Sequence, residues 1–268
     1  MLRELTLNGE IDKVQIAMNR LRLHEPPEGY YVAFSGGKDS CVVLDLCKRA
    51  GVKYDVHYSV TTVDPPELVH FIRREYPDAW ANRIKPEMSM WQLIPRKRMP
   101  PTRLARYCCK YFKEGGGAGR FVVTGVRHQE SAKRAKRRLV ETCRQHSGKQ
   151  FIHPIIDWSE ADVWEYIKAY NVPYCKLYDE GGRKRIGCIM CPYSQKSQKK
   201  ADMKRWPQYV KLYELAFQRM IDKRRADGLK CDWSTGRDVM KWWIGDQINS
   251  KDTGEINLFG LRLHESDT

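Results

Sequence analysis

Two sets of residues in this chain have the types and spacing to do chemistry. The first is Ser35-Gly36-Gly37-Lys38-Asp39-Ser40. Two adjacent glycines let a backbone close around an anion, and two hydroxyls and an ammonium add donors. The hexamer follows the apolar run Tyr30-Tyr31-Val32-Ala33-Phe34, which reads as a buried strand, and precedes Cys41-Val42-Val43-Leu44-Asp45-Leu46-Cys47, which reads as a helix. Strand, glycine turn and helix together aim backbone N–H groups and the positive end of a helix at a phosphate. Asp39 stands where a helix N-cap belongs. The spacing is neither that of a Walker A loop nor that of GxGxxG. The second set is four cysteines: Cys188-x-x-Cys191, flanked by Gly187 and Pro192, and the adjacent pair Cys108-Cys109.

A single CxxC is open between zinc, an iron–sulfur cluster and a redox dithiol. The adjacent pair shifts that balance. Four thiolates satisfy a four-cysteine site for zinc or for [4Fe–4S], but neighbouring cysteines do not easily share one small tetrahedral ion. A cluster with irons at separate corners accepts both. The expected metal ligands are therefore Cys108, Cys109, Cys188 and Cys191, with zinc as the alternative to iron and sulfide. Nine cysteines in all is an odd number, which argues against a disulfide framework. The remaining five read as small buried hydrophobes.

Other segments are expected to serve the phosphate site. Arg120-Phe121-Val122-Val123-Thr124 reads as another buried strand, with Gly125 and Arg127 leaving its carboxyl end. Arginine suits bidentate phosphate contact. Tyr54 to Val60 reads as the strand after the nucleotide helix, and Thr62 and Asp64 follow it. Ligands of open parallel sheets collect at that edge. Lys133-Arg134-Ala135-Lys136-Arg137-Arg138 is either a solvated helix face or a contact for phosphate or nucleic acid.

The elements that must position these groups alternate strand and helix, so the fold class is α/β with a doubly wound parallel sheet of about five strands. Gln150 to Ile155 supplies a last strand. Ser159-Glu160-Ala161-Asp162 is a capping box that opens another helix. Residues 1–29 form an N-terminal helical segment, 30–195 the nucleotide-binding domain, and 196–268 a C-terminal helical extension that begins with one long helix from Gln198 to Ala226. Pro95 to Pro101 reads as a basic, proline-rich connection, and Arg106 to Lys113 as a helix.

The chain has 268 residues, 41% hydrophobic and 30% charged, enough for one large domain or one and a half. Lys+Arg 48 against Asp+Glu 33 gives +15, which favours polyanionic partners: an adenine nucleotide, and RNA or DNA as a further candidate. No apolar run approaches the ~20 residues of a transmembrane helix, so no membrane partner is expected. Met1-Leu2-Arg3-Glu4-Leu5 lacks the basic and apolar regions of a signal peptide, so a cytoplasmic protein is expected.

Together these pieces resemble the phosphoadenosine-phosphosulfate (PAPS) reductase family of the PP-loop ATP-pyrophosphatase superfamily. The resemblance spans most of 30–195. It rests on Ser35–Ser40, on Gly125-Val126-Arg127 with Glu130-Ser131 and Arg134, and on Pro154-Ile155-Ile156-Asp157-Trp158 with Asp162-Val163-Trp164. Leu177-Tyr178-Asp179 leading to Gly187-Cys188 and Cys191 completes it. It implies an adenine nucleotide α-hydrolase-like fold, with Ser35, Gly36, Gly37, Lys38, Asp39, Ser40, Thr62, Asp64, Gly125 and Arg127 at the nucleotide and Lys38, Asp39 and Arg127 in catalysis. The cysteine quartet resembles the [4Fe–4S] ligands of adenylylsulfate reductases and of related DNA-phosphorothioation sulfur transferases. Two features set this chain apart from the reductases. It has the unmodified loop of enzymes that cleave ATP. Its last residues include Leu261-Arg262-Leu263-His264-Glu265 where the reductases carry a Glu-Cys-Gly-Leu-His-like motif.

The leading expectation is an ATP-dependent sulfur transferase that adenylates its acceptor and releases pyrophosphate. ATP, Mg²⁺ and a [4Fe–4S] cluster would be its cofactors, and a cysteine desulfurase or thioredoxin-like protein its sulfur or electron donor. The alternatives are reduction of adenylylsulfate or its 3′-phosphorylated form with external thiols, and a non-catalytic nucleic-acid-binding protein stabilised by a metal on the four cysteines.

Overall fold

The structure, a computed structural model, describes residues 2–6, 9–143, 148–180 and 183–245. In chain order its elements are β1 (Arg3–Thr6), β2 (Gly9–Asp12), α1 (Lys13–Leu23), β3 (Tyr30–Phe34), α2 (Lys38–Ala50), β4 (Tyr54–Tyr58), α3 (Pro66–Glu75), α4 (Pro77–Ala81) and α5 (Met90–Lys97). There follow α6 (Tyr107–Cys109, continued by a π-helical turn over Lys110–Glu114), β5 (Phe121–Val123), β6 (Val140–Thr142), β7 (Gln150–Ile152), α7 (Glu160–Ala169), α8 (Lys196–Arg205), α9 (Pro207–Ala226) and α10 (Gly236–Ile244). The chain divides into two compact units. The first comprises Met1–Val60, Pro65–Lys85 and Gly115–Ile186; the second comprises Thr61–Asp64, Pro86–Glu114 and Gly187–Thr268.

The first unit holds a five-stranded sheet in the order β4-β3-β5-β7-β6. β3 lies inside it, parallel to β4 on one side and to β5 on the other. The reason is local. β3, α2 and β4 form a βαβ unit, and the chain then returns to the far side of β3 to lay down β5. This reversal puts the carboxyl ends of β3 and β5 side by side, and ligands of such sheets settle at that point. Apolar side chains fix the layers: Val42, Val43, Leu44 and Leu46 of α2 and Tyr30, Val32 and Phe34 of β3 are buried. Each contributes about 1.5–3 kcal/mol of burial. The Tyr30 hydroxyl donates to the Leu21 carbonyl at 2.8 Å, tying α1 to the first strand of the sheet.

Several elements differ from the sequence reading, each for a physical reason. The segment before the sheet begins with an antiparallel pair, β1 with β2, and only then becomes helical. Two residues separate Thr6 from its partner Gly9, the length of a tight hairpin connection. The sheet is not wholly parallel, because β6 runs antiparallel to β7. Only seven residues separate Thr142 from Gln150, too few for a crossover. Helix α5 runs through Pro95 to Lys97, so the connection begins later than expected.

In the second unit α5 packs along α9, as does α10. The single long helix expected from Gln198 to Ala226 is two helices. Trp206 has φ −125° and ψ 65°, off the helical region, and Pro207 opens α9. A residue before proline is pushed out of the α conformation, and proline at the first position needs no N–H partner. The helical extension is described as far as Ile244, and Leu261–Glu265 lies outside the described residues. Among the described residues no helix is long and apolar enough to cross a membrane.

Candidate functional site

The first unit folds the hexamer into a closed glycine loop at the carboxyl end of β3, a candidate phosphate cradle. Gly36 has φ +70°, and a Cβ there would meet Ile72 and Leu68 of α3 at 2.8 Å, so this turn requires glycine. The Ser40 hydroxyl donates to the Gly37 carbonyl at 2.8 Å and accepts from the Ser35 N–H at 3.3 Å, while the two serine hydroxyls stand 3.2 Å apart. The loop is thus closed on itself before any ligand arrives. The N-cap of α2 is Gly37 with no side-chain cap, not Asp39 as the sequence suggested. Asp39 is the second residue of the helix, in its first turn, where its carboxylate is drawn to a cation instead.

That cation is Arg127, whose Nε donates to Asp39 Oδ1 at 2.6 Å. Arg127 is 3% exposed and also donates from Nη1 to the Trp158 carbonyl at 3.3 Å. Its own N–H is held by the Glu130 carboxylate at 3.0 Å. Gly125 permits this approach, because a Cβ there would fall 2.9 Å from the Asp39 backbone. Lys38 is 2% exposed; its ammonium donates to the Lys184 carbonyl at 3.0 Å and lies 3.5 Å from Asp39 and 3.6 Å from Glu160. The Lys38 backbone N–H donates to the Tyr178 hydroxyl at 2.9 Å. A buried cation, a glycine turn and an open helix N-terminus suit anionic oxygens. Ser35, Gly36, Gly37, Lys38, Asp39, Ser40, Gly125 and Arg127 are therefore brought together. The sequence reading left out Glu160 and the Lys184 carbonyl. Glu160 was hidden as a helix-opening residue, and a backbone carbonyl has no sequence signal.

Arg183, Lys184 and Arg185 belong to the first unit, where Arg185 lies 3.5 Å from Glu130. The basic run is divided. Arg134 pairs with Glu130, Arg137 lies 2.6 Å from Glu141 and 3.2 Å from His153 Nε2, and Lys133, Lys136 and Arg138 face solvent.

The second unit gathers Cys108, Cys109, Cys188 and Cys191, all as free thiols, together with Thr62 and Asp64. The Cys188 backbone is fixed by its neighbours: Ile189 N–H donates to the Val63 carbonyl at 2.8 Å, and the Tyr213 hydroxyl to the Ile189 carbonyl at 3.2 Å. Met190 takes φ 56°, in the left-handed region, and its N–H is held at 2.8 Å by the buried carboxylate of Asp202. Asp64 accepts from the Thr61 N–H at 2.9 Å, and Thr62 Oγ1 from the Met90 N–H at 2.9 Å. Cys188 Sγ lies 3.5 Å from Thr61 Oγ1.

Within the pair, the Cys108 thiol hydrogen-bonds to Cys109, and with Lys113 and Arg106 nearby this pulls Cys109 down to about 6. Cys108 is pushed up by the same bond, by burial, and by the fields of Cys109, Cys188 and Cys191. Burial raises Cys188, and Lys113 opposes that rise. The four thiols therefore share one electrostatic neighbourhood. Among the described residues, however, no three His, Cys, Asp or Glu side chains are arranged to hold a metal ion. The expected convergence of the sulfurs on a single point is not seen. The Cys108 and Cys109 thiols instead face each other.

The phosphoadenosine phosphosulfate reductase domain model matches residues 29–194. An uncharacterised protein of Methanocaldococcus jannaschii is 29% identical over 205 residues, 72% of this chain and 42% of that protein. The adenosine 5′-phosphosulfate reductase of Oceanobacillus iheyensis is 27% identical over 173 residues, 59% of this chain and 69% of that one. That of Neisseria meningitidis is 32% identical over 150 residues, 52% of this chain and 60% of that one. The chain spans about two fifths of the length of the two M. jannaschii relatives it matches, 42% and 40%. Among solved structures, the phosphoadenylyl-sulfate reductase of Candida auris in its phosphate complex shares the fold, with a TM-score of 0.52 at 21% identity, covering 65% of this chain and 89% of that one. With its five-stranded, mostly parallel sheet and its loop at the carboxyl end of β3, the chain belongs to the phosphoadenosine phosphosulfate reductase domain family.

Proposed function

We propose that this protein is an ATP-dependent sulfur transferase. The observation that carries the reading is the Lys38 ammonium, buried beside an open helix N-terminus in an unmodified Ser-Gly-Gly-Lys-Asp-Ser loop and flanked by the Asp39–Arg127 pair. In this reading the loop holds the β- and γ-phosphates. An oxygen of the acceptor attacks the α-phosphorus, an acceptor O–P bond forms, and the bond to the bridging oxygen breaks to release pyrophosphate. Lys38 and Arg127 offset the charge that builds on the leaving group, as positioned cations do in acyl and phosphoryl transfer. Mg²⁺ on the phosphates would add to the same effect. The outer sulfur of a persulfide then attacks the adenylated carbon and expels AMP, the C–O bond breaking as the C–S bond forms, and an external thiol reduces the resulting disulfide to release the thiolated acceptor. The sulfur comes from a donor protein of the cysteine desulfurase class.

Cys108, Cys109, Cys188 and Cys191 are the residues that would hold a [4Fe–4S] cluster, and such a cluster would supply an anchoring point for sulfide or a store of electrons. Arg106 and Lys113 offset the negative charge of thiolates there.

A second reading, reduction of adenylylsulfate to sulfite and AMP with external thiols, is favoured by the names of the Oceanobacillus and Neisseria relatives. One anaerobic assay separates the two. Pyrophosphate release from ATP, stimulated by a nucleic-acid acceptor, is the expected result. Sulfite release from adenylylsulfate with dithiothreitol, and no pyrophosphate from ATP, would replace the first reading by the second.

A further inference from the structure

An exposed arginine–tyrosine platform adjoins both cysteine pairs in the chain of the second unit. Tyr193 follows Cys191 by two residues and is 51% exposed. Its ring is set, not free. The Tyr193 hydroxyl donates to the Arg103 carbonyl at 3.1 Å, and the Arg103 guanidinium donates to the Pro192 carbonyl at 3.2 Å and the Tyr193 carbonyl at 3.4 Å. The Arg106 guanidinium lies 5.6 Å from the ring centroid, and its other nitrogen is braced on Glu114 at 2.6 Å. Between the two arginines Leu104 is 72% exposed. A polar-rimmed aromatic ring and a bare leucine, held by residues two to five positions before Cys108, have no part in the phosphate cradle.

The charge around them has one sign. Residues 61–64, 86–114 and 187–245 of this unit contain 20 Lys and Arg against 9 Asp and Glu, a net +11. An exposed tyrosine with guanidinium groups at its edge, in a field of that sign, matches what single-stranded nucleic acid needs: a flat face on which a base stacks, and cations for the flanking phosphates. Duplex offers no free base face to such a platform.

We infer that Tyr193, Arg103 and Arg106 form a binding platform for single-stranded nucleic acid, one base stacking on Tyr193 and neighbouring phosphates meeting the two arginines. This deepens the sulfur-transfer reading and rests on it for one point only, that the bound strand is the acceptor.

The test uses the full chain and fluorescently labelled 12-nucleotide strands of RNA and of DNA, with a DNA duplex and heparin as competitors, read by anisotropy across a salt series. Tyr193→Ala is expected to weaken single-strand binding about tenfold or more, within the range of a lost base stack. Tyr193→Phe and Tyr193→Trp keep the ring and lose the hydroxyl's bonds to the Arg103 carbonyl and from the Arg106 guanidinium, and are expected to stay within about twofold. Arg103→Gln with Arg106→Gln should lower the slope of log affinity against log salt by about 1.4, and the paired lysine variant should restore it. Heparin affinity, which needs charge alone, should ignore Tyr193→Ala. RNA and DNA arms that differ by more than tenfold identify which strand is read.

Unchanged binding in Tyr193→Ala overturns the proposal. So does a Tyr193→Phe defect as large as that of alanine, which would make the tyrosine a brace for the loop. Equal affinity for duplex overturns it as well. Pyrophosphate release is measured on the same preparations. The binding pattern without ATP cleavage leaves the platform standing and removes the sulfur-transfer reading, whereas ATP cleavage without the binding pattern does the reverse.

Discussion

The phosphate cradle and the thiol region solve the problem of holding charge in opposite ways. In the cradle the polar groups are paired before a ligand arrives: Asp39 lies between Lys38 and Arg127, and the serines close the loop through each other. In the thiol region the backbone is fixed but the sulfurs are not arranged around one point, and like groups act on one another. The cradle's polar groups are preorganised. The thiol region is a fixed set of donors that a bound body would have to complete. Preorganised groups need no reorganisation when charge develops, whereas a donor set of the second kind gains its order from what it binds.

The largest effect expected from breaking this contrast is at Lys38. Lys38→Ala removes the buried ammonium and leaves the Asp39–Arg127 pair in place. Pyrophosphate release should fall by about 10²–10³, with a melting temperature close to that of the parent. Loss of activity together with loss of fold would mean that the cradle depends on this lysine for its structure.

The thiol region should respond with an all-or-none change. Anaerobically prepared protein should be brown and carry about four irons per chain if the body is [4Fe–4S]. Cys109→Ser should bleach it, while the cradle's nucleotide affinity stays unchanged. A colourless protein with one zinc per chain would turn the region into a structural knuckle.

The next effect is on stability. Asp39→Ala strands Arg127, a cation with a side chain only 4% exposed. Breaking a buried pair from one side costs about 3–5 kcal/mol; Asp39 is partly solvated, so about 2–3 kcal/mol is expected here. Chemical denaturation measures it, and the double variant Asp39→Ala with Arg127→Met should recover part of the loss. An additive double variant would show that the pair is not coupled.

Which of these features could be read in the sequence follows from how local each one is. The hexamer is contiguous, so its strand, turn and helix were legible, as was the Ser159–Asp162 capping box, whose reciprocal bonds are present at 3.0 and 2.8 Å. Position in the sheet was legible too, because βαβ connectivity restricts it. The N-cap was misassigned to Asp39 because a carboxylate that caps and one that pairs with Arg127 look the same in one dimension. Trp206-Pro207 was overlooked because the apolar period continues across it. The antiparallel β6 has only three residues, too few to show a period. Neither Tyr178 on the Lys38 N–H nor Asp202 on the Met190 N–H has a local signal, since each side chain reaches a backbone group distant in sequence.

The last effect is a pH slope rather than a single loss, and concerns how the basic segment is tied to the sheet. His153 is fully buried one residue after β7. Arg137 Nη2 donates to its Nε2 at 3.2 Å, so Nε2 is unprotonated and the proton sits on Nδ1, which faces Thr124 Oγ1 at 2.7 Å. Thr124 is the last residue before Gly125. A second proton would enter a buried site against the Arg137 guanidinium, and burial first, then Arg137, Arg134 and His128, hold the imidazole down to about 3. The folded state thus keeps this histidine neutral, while the unfolded chain protonates it near pH 6.5. Its contribution is complete above pH 6.5 and is lost as pH falls from 6.5 towards 3, by up to ~1.4 kcal/mol per pH unit. His153→Gln keeps a donor and an acceptor of similar size and removes the titration. Its stability curve between pH 6.5 and 4, followed by urea denaturation, should therefore be flatter than the parent's by one proton. A parent curve with no such slope would mean that Arg137 swings away from His153 and that the basic segment is not anchored to the end of β7.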